Sequence, residues 1–562
     1  MTEWMRGARG RYCGVGVVLG VWLIAALAPG AAWGQATDAS PAPAFSVQFH
    51  VVPDQGADNA AVTAPLERAR DALGEPPATL DAVSKWSDRL TNALRQGGFP
   101  VGQVLMTQGD WDAVKRTKTY VFSVFPGRIS SIKIKNSSRV SDDRLARLVT
   151  KALCGTDDLQ GSSCLLETKR LERATQLLQD VPGVGMDGAP QISAGAGVGD
   201  VAVEFPLREL GKPVQASAVV NNNGIKTTGA YQYGVTMSGN NLFHAGDSYY
   251  ATALVTDKGE WTGTAGASTP LGSEGLRLAG SVARSQYSVN DVTPIVGKST
   301  VSQVGLQYPF ARGLDSNIWG GVWFVHNRSG SDLTDFGVGT HSTINSLQLS
   351  LTADNGDRAK QLRTDRWSAQ GAVTYGHNSN DDTSDSVVQR RGDYAKATGT
   401  LFGSYGLNRS GDLFLTGQTS GQLASRNLDG SERLSLGGPF AVRAYRADEG
   451  SVDEGVVANT GIYQRFPVAT GHQLQVGVFM DAAWGKVNRF PWLGWESSYV
   501  GVPDVTNIRK LAGYGVGLGW LTPIGATVSL SAARPFGFSK PSWIDPDGQP
   551  TQYWLALSWS QY

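Results

Sequence analysis

The chain reads GYGVGLGW over residues 513–520, so that large apolar side chains alternate with glycine. The same period of two recurs in YQYGVTMS at residues 231–238, SLQLSL at 346–351 and TVSLSA at 527–532. Successive side chains of a β-strand point to opposite faces, so this period predicts strands with one apolar face and one small or polar face.

Such strands extend over residues 211–562, and their two faces indicate lipid on one side and water on the other. In lipid, only a closed barrel leaves no strand edge unpaired. The segment has about 350 residues; at about 22 for each strand with its connection, that is enough for about 16 strands, an even number as in bacterial barrels. The alternative is a soluble β-helix or β-propeller, although the segment has no repeat of fixed length. We therefore predict a transmembrane β-barrel.

The composition agrees with this fold and argues against nucleic-acid binding. Lys and Arg number 49, as do Asp and Glu, so the formal net charge is zero, whereas a protein that neutralises phosphates carries a basic excess. Charged residues are 17% of the chain, and the mean hydropathy is −0.19. A helical membrane protein would be more hydrophobic, and a disordered protein would have fewer aromatic residues.

The N-terminus has the pattern of a secretory signal peptide. Arginines near the start precede an apolar stretch at residues 14–28, and small residues occupy positions 32 and 34. We expect residues 1–34 to be the signal and residues 35–44, rich in Pro and Ala, to be a linker. The alternative is an uncleaved anchor, but about 15 apolar residues are fewer than the about 20 of a spanning helix.

Two units of about 80 residues, each large enough for a small core, separate the linker from the barrel. In the first unit a strand pattern at residues 45–51 precedes a helix that Thr79 can cap, and strand patterns follow at residues 103–107 and 119–124.

The second unit repeats this order. A strand pattern at residues 128–134 precedes a helix that Ser141 can cap and a helix at residues 165–179, and strand patterns follow at residues 191–194 and 201–205. Both units are therefore predicted to be α+β.

Cys154 and Cys164 are the two cysteines that follow the predicted signal. In an oxidising compartment such a pair most simply forms a disulfide. The alternatives are two free thiols or a metal pair, and the metal pair lacks nearby histidines.

One arginine and one aspartate in the barrel segment are candidates for an internal ion pair. The chain reads LGGPFAVRAY at residues 436–445, where the Gly-Gly-Pro sequence predicts a loop that carries Arg443. Residues 473–481 alternate as a strand and place Asp481 on the polar inner wall, where a carboxylate gains from a cationic partner. The alternatives are an exposed loop arginine and an ordinary lumen charge.

These residues resemble the transporters of two-partner secretion (TpsB proteins, the ShlB/FhaC/HecB family), relatives of the barrel-assembly protein BamA. The VRAY sequence of Val442, Arg443, Ala444 and Tyr445 is similar to the loop motif VRGY of that family, with Ala444 where the family usually has glycine. FMDAAWG at residues 479–485 resembles the strand motif that supplies the acidic partner of the loop. NNNG at residues 221–224 and GNNLFHAGD at residues 239–247 resemble the start of the family's barrel.

The resemblance implies two POTRA domains, at residues 45–126 and 127–208, and an outer-membrane barrel of 16 strands at residues 211–562. It also implies that the loop folds into the lumen and that Arg443 pairs with Asp481. We expect no N-terminal plug helix, because only about ten residues separate the predicted signal from the first strand.

The implied function is export of a large secreted partner protein, such as a haemolysin or an adhesin, across the bacterial outer membrane. The POTRA domains would lie in the periplasm and capture the unfolded substrate, lipid would surround the barrel, and the barrel-assembly machinery would insert it. We expect no cofactor and no enzymatic activity, because the six histidines are scattered and no GxSxG sequence occurs. The alternative is a BamA-like assembly factor.

Overall fold

In the computed structural model the chain forms two small α+β domains followed by a closed β-barrel. The predicted signal peptide, the linker and the expected absence of a plug helix concern residues outside the described part. The described residues are 45–54, 56–157, 159, 164–289, 294–333, 338–361, 365–382, 385–447, 449–498, 505–537 and 551–561.

The first domain is a three-stranded sheet covered by three helices. Its elements are β1 (Ser46–Val51), α1 (Asn59–Arg70), α2 (Leu80–Gln96), β2 (Gln103–Leu105), α3 (Gln108–Thr117) and β3 (Thr119–Phe125). The sheet order is β1-β3-β2, with β1 parallel to β3. The sequence located α2, which Thr79 caps by accepting a hydrogen bond from the Ala82 N–H at 3.3 Å. It missed α1, which contains Pro65, and α3, which buries Val114 alone. The strand expected to reach Thr107 ends at Leu105, because Thr107 caps α3.

The second domain repeats the arrangement. Its elements are β4 (Arg128–Ser137), α4 (Asp142–Cys154), α5 (Thr168–Gln179), β5 (Val184–Met186), β6 (Gln191–Ala194) and β7 (Asp200–Glu209). The sheet order is β4-β7-β5, and β6 also pairs with β7. Ser141 lies at the N-cap of α4, but its hydroxyl makes no capping hydrogen bond. The helix expected from residue 165 begins at Thr168, because the preceding segment pairs with β4: the Ile129 N–H donates to the Cys164 carbonyl at 2.7 Å.

The two N-terminal domains exchange side chains between their cores. Leu165 of the second domain is buried in the core of the first, and Val101 of the first packs against the core of the second. The Thr168 N–H also donates to the Gly98 carbonyl at 2.9 Å. A disulfide joins Cys154, at the end of α4, to Cys164 beside the exchanged leucine. The domains therefore share an apolar interface and are not joined by a free linker.

The barrel closes on itself with 16 antiparallel strands, which confirms the predicted fold class. Its strands are β8 (Val214–Asn221), β9 (Gln232–Asn240), β10 (Ser248–Thr256), β11 (Trp261–Pro270), β12 (Arg277–Val289), β13 (Ile295–Arg312), β14 (Asn317–Leu333), β15 (Val338–Asp354), β16 (Arg366–Asn380), β17 (Gly392–Gly406), β18 (Leu413–Ala424), β21 (Glu454–Ala469), β22 (His472–Lys486), β23 (Ile508–Leu521), β24 (Ala526–Pro535) and β25 (Gln552–Ser560). The other β-strands and α-helices described in the barrel segment are β19 (Leu434–Ser435), β20 (Ser451–Val452), α6 (Gly356–Gln361) and α7 (Asp385–Val388). We call the end where Val214 begins β8 the domain-side end, and the other end the distal end.

The two faces of β23 match the alternation in its sequence. Tyr514 and Val516 are exposed on the outer face, whereas Gly513 and Gly515 lie on the inner face, where an added Cβ would meet Ala444 and Phe479. An outer face of large apolar groups suits lipid. In the described ranges, no helix is both long and apolar enough to cross a membrane.

The barrel closes through a short ladder between β25 and β8. The pairing runs only from Ala556–Asn221 to Ser560–Ser217. Beyond it, the Asn222 amide substitutes for the backbone: its Nδ2 donates to the Tyr553 carbonyl at 2.9 Å, and its Oδ1 accepts from the Leu555 N–H at 2.7 Å. The NNNG sequence thus extends the closure by a side chain.

The second domain is docked against the domain-side end. Asp180, directly after α5, forms two hydrogen bonds of 2.7 Å with Arg312 at the end of β13. Arg312 also contacts Asp357 at 3.0 Å, and it is mostly buried. Arg144 donates to the carbonyl of Pro270 at 3.0 Å. These contacts fix the second domain below the strands that begin the barrel.

Candidate functional site

The connection between β18 and β21, residues 425–453, enters the barrel from the distal end, and we call it the lumen loop. Its base is closed by β19 and β20, which pair through Leu434–Val452 and Ser435–Ser451. Between them the chain turns at Gly438, whose φ of 112° is open to glycine and strained for other residues. The Gly438 N–H donates to the Tyr445 carbonyl at 3.0 Å, which closes the tip.

Arg443, at the tip, pairs with Asp481 on the inner wall of β22. The guanidinium donates to both carboxylate oxygens, at 2.7 and 2.8 Å, and the Arg443 backbone N–H donates to Oδ2 at 3.1 Å. The Asn459 side chain on β21 donates to the same carboxylate at 2.8 Å. The Asp481 side chain is 0% exposed and that of Arg443 is 18% exposed. The two residues singled out in the sequence are therefore in direct contact, as a bidentate pair shielded from water.

The same arginine touches three strands. Its guanidinium carbon lies 3.3 Å from the centre of the Phe479 ring on β22, which adds a cation–π contact. Its Nη1 lies 3.4 Å from the hydroxyl of Tyr463 on β21. Its carbonyl accepts a hydrogen bond from Trp554 Nε1 on β25 at 2.8 Å. The loop tip is thus connected both to the wall and to the last strand of the barrel.

The neighbours of Arg443 in the VRAY sequence are buried against the wall. Val442 and Tyr445 belong to an apolar cluster inside the barrel, together with Phe479 and Leu511. Ala444 faces Gly513 of β23. Among the described residues, the non-glycine residues with positive φ are Lys118, Asn241, His244 and Gln389. Ala444 is not among them, so an alanine is compatible with the backbone at this position.

Among the described residues, three further ion pairs hold the lumen loop, and the sequence reasoning missed all of them. Their distances are 2.5 Å for Glu432–Lys396, 2.9 Å for Arg433–Asp453 and 2.5 Å for Glu449–Arg509. The two residues of each pair are either far apart in the sequence or lie in a segment rich in charged residues. No spacing in the sequence therefore indicated these pairs. The loop is thus fixed at its base, along its length and at its tip.

A cavity lies between the loop tip and the domain-side end of the barrel. This polar cavity is lined by Arg366, Phe414, Arg465 and Gln475 among others. Arg465 lies over the Phe414 ring, with 4.0 Å between the guanidinium carbon and the ring centre. In the described part of the chain, no three His, Cys, Asp or Glu residues are grouped so that they could hold a metal ion.

Comparisons with known proteins point to one family. A family model described as haemolysin secretion/activation protein ShlB/FhaC/HecB matches residues 202–518. The heme/hemopexin transporter protein HuxB of Haemophilus influenzae (strain 86-028NP) is 23% identical over 492 residues, which cover 85% of this chain and 81% of HuxB. The outer membrane transporter CdiB of Dickeya dadantii is 22% identical over 502 residues, with the same shares covered.

The solved structure of CdiB from Escherichia coli has the same fold. Its TM-score is 0.69 at 16% sequence identity, and the match covers 94% of this chain and 92% of the CdiB chain. The likeness therefore extends over the N-terminal domains as well as the barrel.

Proposed function

The chain belongs to the haemolysin secretion/activation protein family ShlB/FhaC/HecB, and from this premise we propose that it exports a large partner protein across the outer membrane. It is an outer-membrane transporter of the two-partner secretion type. The lumen loop is the observation that carries the proposal for this chain: a closed barrel holds, in its interior, a loop pinned by the paired charges of Arg443 and Asp481. Such a loop suits a channel that has to open for a polypeptide.

We propose that residues 45–126 and 127–208 are POTRA domains and that they lie in the periplasm. The chain order supports this orientation, because the second domain docks at the domain-side end, below the start of β8. The distal end would then face the exterior, and the lumen loop would enter from outside. We further propose that residues 1–34 direct the chain to the periplasm and that the barrel-assembly machinery inserts the barrel into lipid.

The N-terminal domains offer sheet edges to an unfolded substrate. β1 and β4 are the outermost strands of their sheets, and each pairs along its length with one neighbour. At its start, β4 is covered by residues 164–166, where the Leu166 N–H donates to the Gly127 carbonyl at 2.9 Å. An extended polypeptide can add to the rest of such an edge by backbone hydrogen bonds, which recognise a strand without requiring one sequence.

The Arg443–Asp481 pair would then act as a latch on the path through the barrel. With the pair formed, the loop occupies the lumen. Export would require the pair to open and to form again as the loop moves, and the polar inner wall would give the substrate an aqueous path. Folding of the partner protein outside the cell would keep it from returning. The pair acts on conformation and forms no covalent intermediate.

Co-expression tests the export function against the alternative of a BamA-like assembly factor. The chain would be produced together with the large secreted protein encoded beside its own gene, and the medium would be assayed for that protein. Export predicts partner protein in the medium, and deletion of residues 45–210 should abolish it while leaving a heat-modifiable barrel. Partner protein absent from the medium, together with assembly of other outer-membrane proteins that depends on this chain, would instead support the assembly role.

A further inference from the structure

A second buried ion pair joins the lumen loop to the barrel wall. A carboxylate oxygen of Glu449 lies 2.5 Å from Nη2 of Arg509, the second residue of β23. The two side chains are 1% and 5% exposed, so both charges are removed from water. A charge buried in this way depends on its partner, because loss of either charge weakens the electrostatic stabilisation of the other in a poorly hydrated site.

The two buried pairs lie at different heights on adjacent strands. Asp481 on β22 is opposite Gly513 on β23, and Arg509 is opposite Gly485. Four residues separate the two levels, which at about 3.3 Å for each residue is about 13 Å along the barrel wall. The loop is therefore fastened near the distal end by Glu449 and deeper in the lumen by Arg443.

Backbone hydrogen bonds through Leu436 link Gly450, beside Glu449, to Val442, beside Arg443. The Leu436 N–H donates to the Gly450 carbonyl at 2.9 Å, and the Val442 N–H donates to the Leu436 carbonyl at 3.0 Å. Gly437 allows the two branches to approach, because a Cβ there would lie 3.0 Å from Glu449 Cβ and would overlap the Arg446 carbonyl. A displacement of Glu449 is therefore passed through these backbone hydrogen bonds to Arg443 at the tip.

The two pairs also have opposite polarity. At the tip the loop supplies the cation and the wall supplies the anion, whereas at the upper fastening the loop supplies the anion and the wall supplies the cation. A loop shifted along the lumen therefore loses both attractions, because neither loop charge finds an opposite charge at the other's site.

We propose that Glu449 and Arg509 are positioning residues, a second latch that sets the depth of the lumen loop so that Arg443 meets Asp481. The tip of the loop leaves the wall only after the Arg443 pair and the Glu449 pair have both opened. This inference rests on the proposed role of the loop in gating export.

Single-channel conductance of the full-length chain in planar lipid bilayers tests the second latch without needing the exported partner. Glu449→Gln and Arg509→Gln should each raise the occurrence of the open, high-conductance state by about tenfold. The exchanged variant Glu449→Arg/Arg509→Glu should return the conductance toward that of the unaltered chain, because it restores the attraction. Arg358→Gln is the matched control, since it removes an exposed ion pair with Asp315 outside the loop.

Heat-modifiability shows which variants form a barrel. Glu449→Gln is a mild change, because glutamine has the size of glutamate and its amide oxygen can keep one hydrogen bond. The proposal is overturned if Glu449→Gln and Arg509→Gln form barrels with unaltered conductance, or if the exchanged variant folds and conducts like the single variants. Arg443→Ala separates this result from the parent proposal: if it raises conductance while the Glu449 variants do not, the second latch alone is wrong. If Arg443→Ala also leaves conductance unchanged, the gating role of the loop is wrong.

Discussion

Ala444 and Gly513 occupy neighbouring positions so close that a Cβ on Gly513 would overlap the Cβ of Ala444. The alanine lies in the VRAY sequence at the loop tip, and the glycine lies on β23. The alanine methyl group therefore occupies the space that a side chain at position 513 would need, and glycine fits there.

Gly513→Ala should push the loop tip away from the wall and reduce secretion of the partner, because close-packed interiors do not absorb an extra methyl group. The double variant Gly513→Ala/Ala444→Gly should recover secretion, since it exchanges the two residues. Gly517→Ala is the control on the same face of β23, where the nearest atom to an added Cβ is 3.6 Å away. Equal secretion by the Gly513 and Gly517 variants would contradict this packing.

Arg443→Lys should impair secretion nearly as much as Arg443→Ala. Lysine keeps the charge but lacks the planar fork that binds both oxygens of Asp481 in a fixed geometry, whereas alanine removes the cation of a buried pair, at a cost of about 3–5 kcal/mol. Secreted partner protein would be measured alongside heat-modifiability. Met480→Ala is the neighbouring control, because Met480 is 50% exposed on the outer face. Full secretion by Arg443→Lys would mean that charge alone suffices.

Asp180→Asn should loosen the second domain from the barrel. It removes a charged partner of Arg312, at a cost of about 2 kcal/mol for a hydrogen bond to a charged group. Hydrogen exchange of the α5 amides in the full chain should become faster, while exchange in β21 and β22 stays unchanged. Asp187→Asn serves as the comparison in the same domain. Equal exchange rates in the unaltered chain and in both variants would argue against docking through Asp180.

The disulfide between Cys154 and Cys164 closes a loop with a sequence separation of 10. Replacing both cysteines by serine should destabilise the second domain by about 3 kcal/mol, mainly because the unfolded chain is no longer cross-linked. Protease digestion of this domain should become faster. A reductant should have the same effect on the unaltered chain and none on the double serine variant. An effect of the reductant on that variant would assign the change to something other than the disulfide.

The sequence indicated the barrel because a period of two over some 350 residues has few other physical explanations. It indicated α2 and α4 because their apolar residues recur at helical spacing, and it placed α5 three residues too early because Leu165 looks like part of its apolar face. That leucine instead enters the core of the first domain. The start of α5 is set by the pairing of the preceding segment with β4. This tertiary contact cannot be read from the local sequence pattern.

The sequence identified some residues of the candidate site and missed others. Arg443 and Asp481 were found through motifs, since neither spacing nor charge alone distinguishes them from solvated residues. The pair of Glu449 and Arg509 had no such signal, because the two residues are 60 positions apart and loop charges are usually solvated. No sequence pattern indicated the docking role of Arg312 either, because a sequence does not specify which domain lies beneath a strand end.

The exchange of Leu165 and Val101 between the two N-terminal cores has a consequence for motion. Two domains that share apolar side chains reorient as one body, and because the second domain is docked on the barrel, the first cannot swing independently of it. The distance between the edge strands β1 and β4 is then fixed. A polypeptide that binds to both strands has to span this fixed distance before it reaches the membrane.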